Sequence, residues 1–164
     1  MSSTALQIVQ VQSPMDIEQV RGLFIEYAQS LGFSLCFQNF DQELVDLPGD
    51  YVPPDGRLFL AALDGKLAGC VALHRLATSL LEERVCEMKR LYVRPEFRGH
   101  NVGRNLAERA ISEAREMGYS QMRLDTVAGK MDRAILMYRQ VGFRQIAPYR
   151  QNPMPDALYM ELSL

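Results

Sequence analysis

Leu91-Tyr-Val-Arg-Pro-Glu-Phe-Arg-Gly-His-Asn-Val-Gly-Arg104 is the stretch that decides the fold. Apolar residues up to Val93 read as the end of a strand, and Pro95 stops it. A turn rich in basic residues and glycine follows, and an amphipathic helix opens at Asn101. That order builds an anion cradle. The first helical turn leaves backbone N–H groups without intrahelical partners, and the positive end of the helix dipole lies beside them. Gly99 and Gly103 lack a Cβ that would hold a phosphate at a distance. Arg94, Arg98, His100 and Arg104 add donors or charge. The run differs from a P-loop, because no Gly-Lys-Ser/Thr follows the glycines, and from the G-x-G-x-x-G dinucleotide fingerprint.

Outward from this run, the chain alternates strand and helix signals. Leu6 to Val11 reads as a first strand. Ser13-Pro14 opens a helix, with Ile17, Val20, Leu23, Phe24, Tyr27, Ala28 and Leu31 at helical spacing and Gly32 as its stop. A short helix is expected over Asp41 to Leu47, ended by Pro48-Gly49. Arg57 to Leu63 and Lys66 to Leu76 form a hairpin around Asp64-Gly65, the type I′ signal. Glu83 to Val93 is the next strand, and Asn101 to Met117 a helix ended by Gly118. Gln121 to Thr126 is a strand, Met131 to Gln140 a helix closed by Gly142, and Phe143 to Ile146 and Leu158 to Leu162 the last strands. The order β-α-α-β-β-β-α-β-α-β-β predicts a mixed sheet covered by helices on both faces.

Arg98 to Gly103 resembles the R/Q-x-x-G-x-G/A pyrophosphate loop of the GNAT superfamily of N-acetyltransferases. Glu87 to Val93 looks like the strand before that loop, and Met137-Tyr-Arg-Gln-Val-Gly-Phe143 like the family's later LYxxxGF element. Together these cover Arg84 to Leu164. Where the family usually has glycine at the fourth loop position the chain has Asn101, a residue that tolerates left-handed geometry.

The resemblance implies an α/β (α+β) domain over residues 1–164, with a central mixed, mostly antiparallel twisted sheet of about seven strands. It implies acetyl-CoA as cosubstrate. The pyrophosphate would lie on Arg98, Gly99, His100, Asn101, Val102, Gly103 and Arg104. The backbone of Leu91 and Val93 would meet the pantetheine arm. Tyr138 is the expected acid for the leaving thiolate, since a phenol with an ordinary pKa near 10 can protonate it. Glu87 is the expected base, directly or through water. By strand alternation it shares a face with Lys89, Leu91 and Val93. Thr126 is a candidate hydroxyl donor, and His74 is read as structural. The acceptor, an amine on a small molecule, amino-acid derivative or peptide, is expected among Phe37, Phe40, Glu43, Asp46, Tyr51, Tyr149, Arg150 and Asn152. A non-catalytic acyl-CoA-binding module of the same fold is the alternative.

Composition narrows the classes. A length of 164 residues suits one domain with its own core. A formal net charge of −2 disfavours nucleic acid as partner. Cys36, Cys70 and Cys86 are odd in number and widely spaced, which argues against a disulfide framework and a zinc site. No run approaches the roughly 18 apolar residues of a membrane span, and no signal peptide is evident. A cytoplasmic enzyme, without a metal, is expected; a homodimer is compatible with the sequence.

Overall fold

A computed structural model describes residues 5–35, 38–78 and 83–164. The elements follow the expected order: β1 (Leu6–Gln10), α1 (Pro14–Leu31), α2 (Phe40–Asp46), β2 (Arg57–Leu63), β3 (Lys66–Arg75), β4 (Val85–Val93), a 3-10 turn (Pro95–Phe97), α3 (Val102–Glu116), β5 (Gln121–Val127), α4 (Asp132–Val141), β6 (Arg144–Ile146) and β7 (Ala157–Ser163).

Local sequence fixes several boundaries. Ser13 Oγ accepts the Asp16 N–H at 3.1 Å, and the Asp16 carboxylate accepts the Ser13 N–H, which closes a capping box at the start of α1. Asp64 and Gly65 both have positive φ, as a type I′ hairpin requires. Asn101 caps α3 at φ 61°, the left-handed geometry expected of it.

The seven strands form one sheet in the order β1-β2-β3-β4-β5-β7-β6. Among the described residues β4 and β5 are the one parallel pair, and every other neighbouring pair is antiparallel. One face packs on α3 and α4 through Leu106, Ala110, Ile111 and Tyr138. The other packs on α1 and α2 through Val20, Leu23, Phe24 and Phe40. Each face thus buries its own core, as a sheet between two helical layers must.

Two irregularities in the sheet make the site. The β3–β4 register shifts between Cys70↔Tyr92 and Ala72↔Lys89, and Arg90 there takes φ 60°. This is a β-bulge, which adds a residue to one strand and re-aims the side chains around it. Val71 alone faces Arg90 and Leu91, and Gly69 pairs with Val93 just past the bulge, where a Cβ would collide with the Tyr92 carbonyl oxygen. The second irregularity is the short parallel ladder. It runs only from Val85↔Gln121 to Glu87↔Arg123. Beyond Glu87 the strands part, and a cleft opens between them.

The bulge corrects one expectation. Strict alternation puts Glu87, Lys89, Leu91 and Val93 on one face. In the structure Leu91 and Val93 pack into the α3 core, with Met88. Glu87 and Lys89 lie on the α1–α2 face, where they meet His74 and Gln38. The extra residue at Arg90 reverses the alternation midway along the strand.

Candidate active site

The cleft has a volume of about 910 Å³. Its walls come from β4 (Met88 to Val93), β5 (Leu124 to Val127), the end of α1, the turn before α3 and the first half of α4. The turn brings Arg98, Gly99, Asn101, Val102, Gly103 and Arg104 to one end of it. Gly99 there has φ 87°, a conformation glycine adopts without strain. The first intrahelical bond of α3 joins Asn105 N–H to Asn101 carbonyl at 3.0 Å. The N–H groups ahead of it therefore point out of the helix start. Arg98 Nε donates to the Val93 carbonyl at 3.1 Å, which ties the turn to the strand end. His100 is exposed and does not line the cleft.

Tyr138 lines the cleft from α4 and is buried, its ring edge-on to Phe143 at 5.6 Å. Burial, and secondarily Tyr27 and Asp125, push its phenol well above the ordinary value. It stays protonated, the state a general acid needs. Thr126, on β5, points its hydroxyl at the Met131 sulfur at 3.1 Å.

Glu87 is fully buried and is not among the residues lining the cleft. Four groups surround its carboxylate. Tyr149 Oη and Arg150 Nη2 donate to it at 2.6 Å, His74 Nε2 at 2.9 Å, and Lys89 Nζ lies 3.9 Å away. Burial alone would raise its pKa. The His74 hydrogen bond and the Lys89 and Arg150 charges outweigh burial and hold the carboxyl well below the usual range. A carboxylate so bound is a weak proton acceptor. It instead fastens the β6–β7 loop, which carries Tyr149 and Arg150, to the centre of the sheet.

The remaining acceptor candidates divide. Asn152 lines the cleft. Glu43 receives Arg90 through two contacts, and Phe40 lies under the same guanidinium at 5.1 Å. Tyr51 is buried edge-on to His74. Asp46 is exposed and accepts from Gln42. Phe37, like Cys36, lies outside the described residues.

Three residues at this end escaped the sequence reading: Gln38, Lys89 and Asp125, all lining the cleft. A signal existed. Lys89-Arg90 places two long cations in a row inside an apolar strand, so strict alternation would send one of them into each core, a local conflict that flags the position without saying how the strand resolves it. Asp125 alternates with the buried Met122 and Leu124, so it lies on the opposite face.

A strand that splays from its neighbour beside an anion-binding helix start is an acyl-carrier cleft of a known kind, and the relatives agree. Residues 19–143 match the model of the acetyltransferase (GNAT) family. An uncharacterised N-acetyltransferase of Schizosaccharomyces pombe is 38% identical over 100% of this chain and 98% of its own. The zebrafish (Danio rerio) N-acetylaspartate synthetase is 32% identical over 69% of this chain and 39% of its own. An acetyltransferase of Salmonella typhimurium, solved with its cofactor acetyl-CoA, superposes with a TM-score of 0.74 at 18% identity, over 97% and 94% of the two chains. The chain belongs to the GNAT family of acetyltransferases. It is an acyltransferase dependent on acetyl-CoA. Its residues fit that group: the turn from Arg98 to Arg104 offers unpaired N–H donors and arginines at one end of a cleft long enough for an extended arm. No helix among the described residues is long and apolar enough to cross a membrane, and none of their His, Cys, Asp and Glu side chains cluster as metal ligands.

Proposed function

We propose that the protein transfers an acetyl group from acetyl-CoA to the primary amine of a small molecule, an amino-acid derivative or a peptide. The cleft between β4 and β5 carries this reading. It joins the anion-binding turn at one end to Tyr138, Lys89 and Asp125 at the other. The thioester supplies an activated acetyl carbon. The turn from Arg98 to Arg104 holds the pyrophosphate, and the unpaired edge of β4 at Leu91 and Val93 pairs with the amides of the arm as an added strand would. The amine nitrogen bonds to the carbonyl carbon, the carbon–sulfur bond breaks, and its electron pair goes to sulfur. Tyr138 gives its phenolic proton to that sulfur and recovers one from solvent. The amine proton leaves through water. Glu87, held by three donors with the Lys89 charge beside them, positions Tyr149 and Arg150 and orders that water rather than taking the proton itself.

The test is release of free thiol from acetyl-CoA across a panel of amines, with a thermal-shift comparison of acetyl-CoA, ATP and NAD. A selective shift by acetyl-CoA with amine-dependent thiol release is expected, since a ligand of the native state raises apparent stability. Equal shifts from all three nucleotides would remove the cofactor assignment. A selective shift without turnover on any amine would make the protein a binding module.

A further inference from the structure

The Gln38 carboxamide spans two opposite charges at the inner end of the cleft. Lys89 Nζ donates to Gln38 Oε1 at 3.1 Å, and Gln38 Nε2 donates to Asp125 Oδ2 at 3.4 Å. All three residues line the cleft. The Lys89 and Asp125 side chains are each only 10% exposed.

The neighbouring charges are already committed. Glu43 is taken by Arg90 through two contacts, and Glu87 by His74, Tyr149 and Arg150. Lys89 keeps a 3.9 Å approach to Glu87 beside its one short bond to Gln38. An ammonium has three donors, so its capacity is under-used. Arg150 Nη1 is buried with no hydrogen-bond partner among the described residues, 3.6 Å from Asp125 Oδ2. Asp125 in turn holds, among the described residues, this distant cation and one long hydrogen bond. Buried polar groups left so loosely paired are costly, and a ligand that completes them is favoured.

We propose that Lys89 and Asp125 recognise the head group of an α-amino acid. Its carboxylate sits on Lys89 and its amine on Asp125. A carboxamide already shows that an acceptor and a donor atom held a short distance apart fit between the two. An α-amino acid presents a carboxylate oxygen and an amine nitrogen at similarly short spacing, each charged as it binds; the ammonium gives one proton to water before its nitrogen attacks and a second afterwards. Gln38 sits on the chain between α1 and α2, outside both elements; when its carboxamide yields, Arg90 gives up one 2.9 Å bond to it and keeps its two bonds to Glu43. Asp125 lies on the strand that borders the cleft beside Tyr138, so an amine held there is at the reacting end. The 32% identity with an N-acetylaspartate synthetase agrees with an amino-acid acceptor. The assignment rests on the acetyl-transfer function proposed above and names its acceptor class.

The experiment compares amino acids with their decarboxylated twins: leucine with isopentylamine, phenylalanine with phenethylamine, aspartate with β-alanine. Thiol release gives kcat/KM for each. Within at least one pair, the wild-type protein is expected to favour the amino acid by at least roughly tenfold, because losing one partner of a buried charge pair costs at least that much. Lys89→Gln is expected to shrink this preference, chiefly through KM, and Lys89→Arg to restore part of it. Should Lys89→Gln fail to fold, the wild-type comparison still decides. Turnover confined to amines without an α-carboxylate, or a preference that Lys89→Gln leaves intact, overturns the assignment while leaving amine acetylation standing. No turnover of any amine overturns both.

Discussion

Arg90 of β4 grips Glu43 of α2 at two points, Nε to Oε2 at 2.9 Å and Nη2 to Oε1 at 3.0 Å, from a left-handed backbone with φ 60°. A two-pronged guanidinium–carboxylate contact is directional as well as charged. Here it fastens α2, and the chain before it that carries Gln38, onto the bulge. Arg90 also donates to Gln38 Oε1 at 2.9 Å. The distortion in the strand and the Gln38 wall of the cleft are therefore one structure.

Arg90→Met tests that link. It leaves the part-buried Glu43 carboxylate without its partner, and losing hydrogen bonds to a charged group at such a site costs about 1.5–3 kcal/mol. Chemical denaturation of the two proteins measures it. A loss below about 1 kcal/mol, the range of exposed pairs, would show that the contact is solvated and does not anchor α2.

Glu87→Gln should alter the acid side of the stability profile. The Glu87 carboxyl is held below its ordinary value, so its contribution is present above the unfolded pKa and lost as pH falls through the folded one. Below roughly pH 4 the unfolded chain has taken up this proton and the folded chain has not. Wild-type stability should then fall by up to about 1.4 kcal/mol per pH unit more steeply than that of the variant. Denaturation midpoints between about pH 3 and 7 measure the difference. Parallel profiles for the two proteins would mean that Glu87 titrates normally.

Tyr138→Phe should lower kcat while acetyl-CoA binding changes little, because the ring keeps its packing on Phe143 and only the hydroxyl is lost. General acid catalysis contributes about 10²–10⁴-fold, so a fall of at least roughly tenfold is expected in kcat and in kcat/KM together. Turnover at the wild-type rate would leave Tyr138 as a packing residue, with sulfur protonated by solvent.

Gly103→Val should weaken acetyl-CoA binding. A Cβ at this position meets Val93 Cγ2 at 3.4 Å, an ordinary contact, so the fold survives. The added methyl groups reach toward the cleft that Gly103 lines. Displacing a phosphate from even one charge-assisted donor costs roughly tenfold in affinity. Calorimetric titration of the folded variant measures it, and an unchanged dissociation constant would move the phosphate site elsewhere.

The order of elements, the capping box at Ser13, the Asp64-Gly65 hairpin and the left-handed Asn101 are all legible in the sequence, because each depends on residues close together in the chain. The anion-binding turn is legible for the same reason: helix start, glycine and arginines are contiguous from Arg98 to Arg104. Glu87 and Tyr138 could be singled out as residues, but not their surroundings. Glu87 reads locally as a neighbour of Lys89. Its strongest partners, Tyr149 and Arg150, lie more than sixty positions away and arrive on the β6–β7 loop.

By itself the sequence determined the order of elements and the glycine- and arginine-rich turn ahead of α3, since short-range periodicity and turn chemistry encode them; Tyr138 is marked by the resemblance of Met137 to Phe143 to a family element. Tertiary structure alone decided which way β4 faces. One extra residue on β4 at Arg90, with Val71 alone on β3 facing Arg90 and Leu91, turns Lys89 away from Leu91 and toward Gln38 and Asp125. A bulge is set by the pairing of two strands, and no window of a single strand contains that pairing.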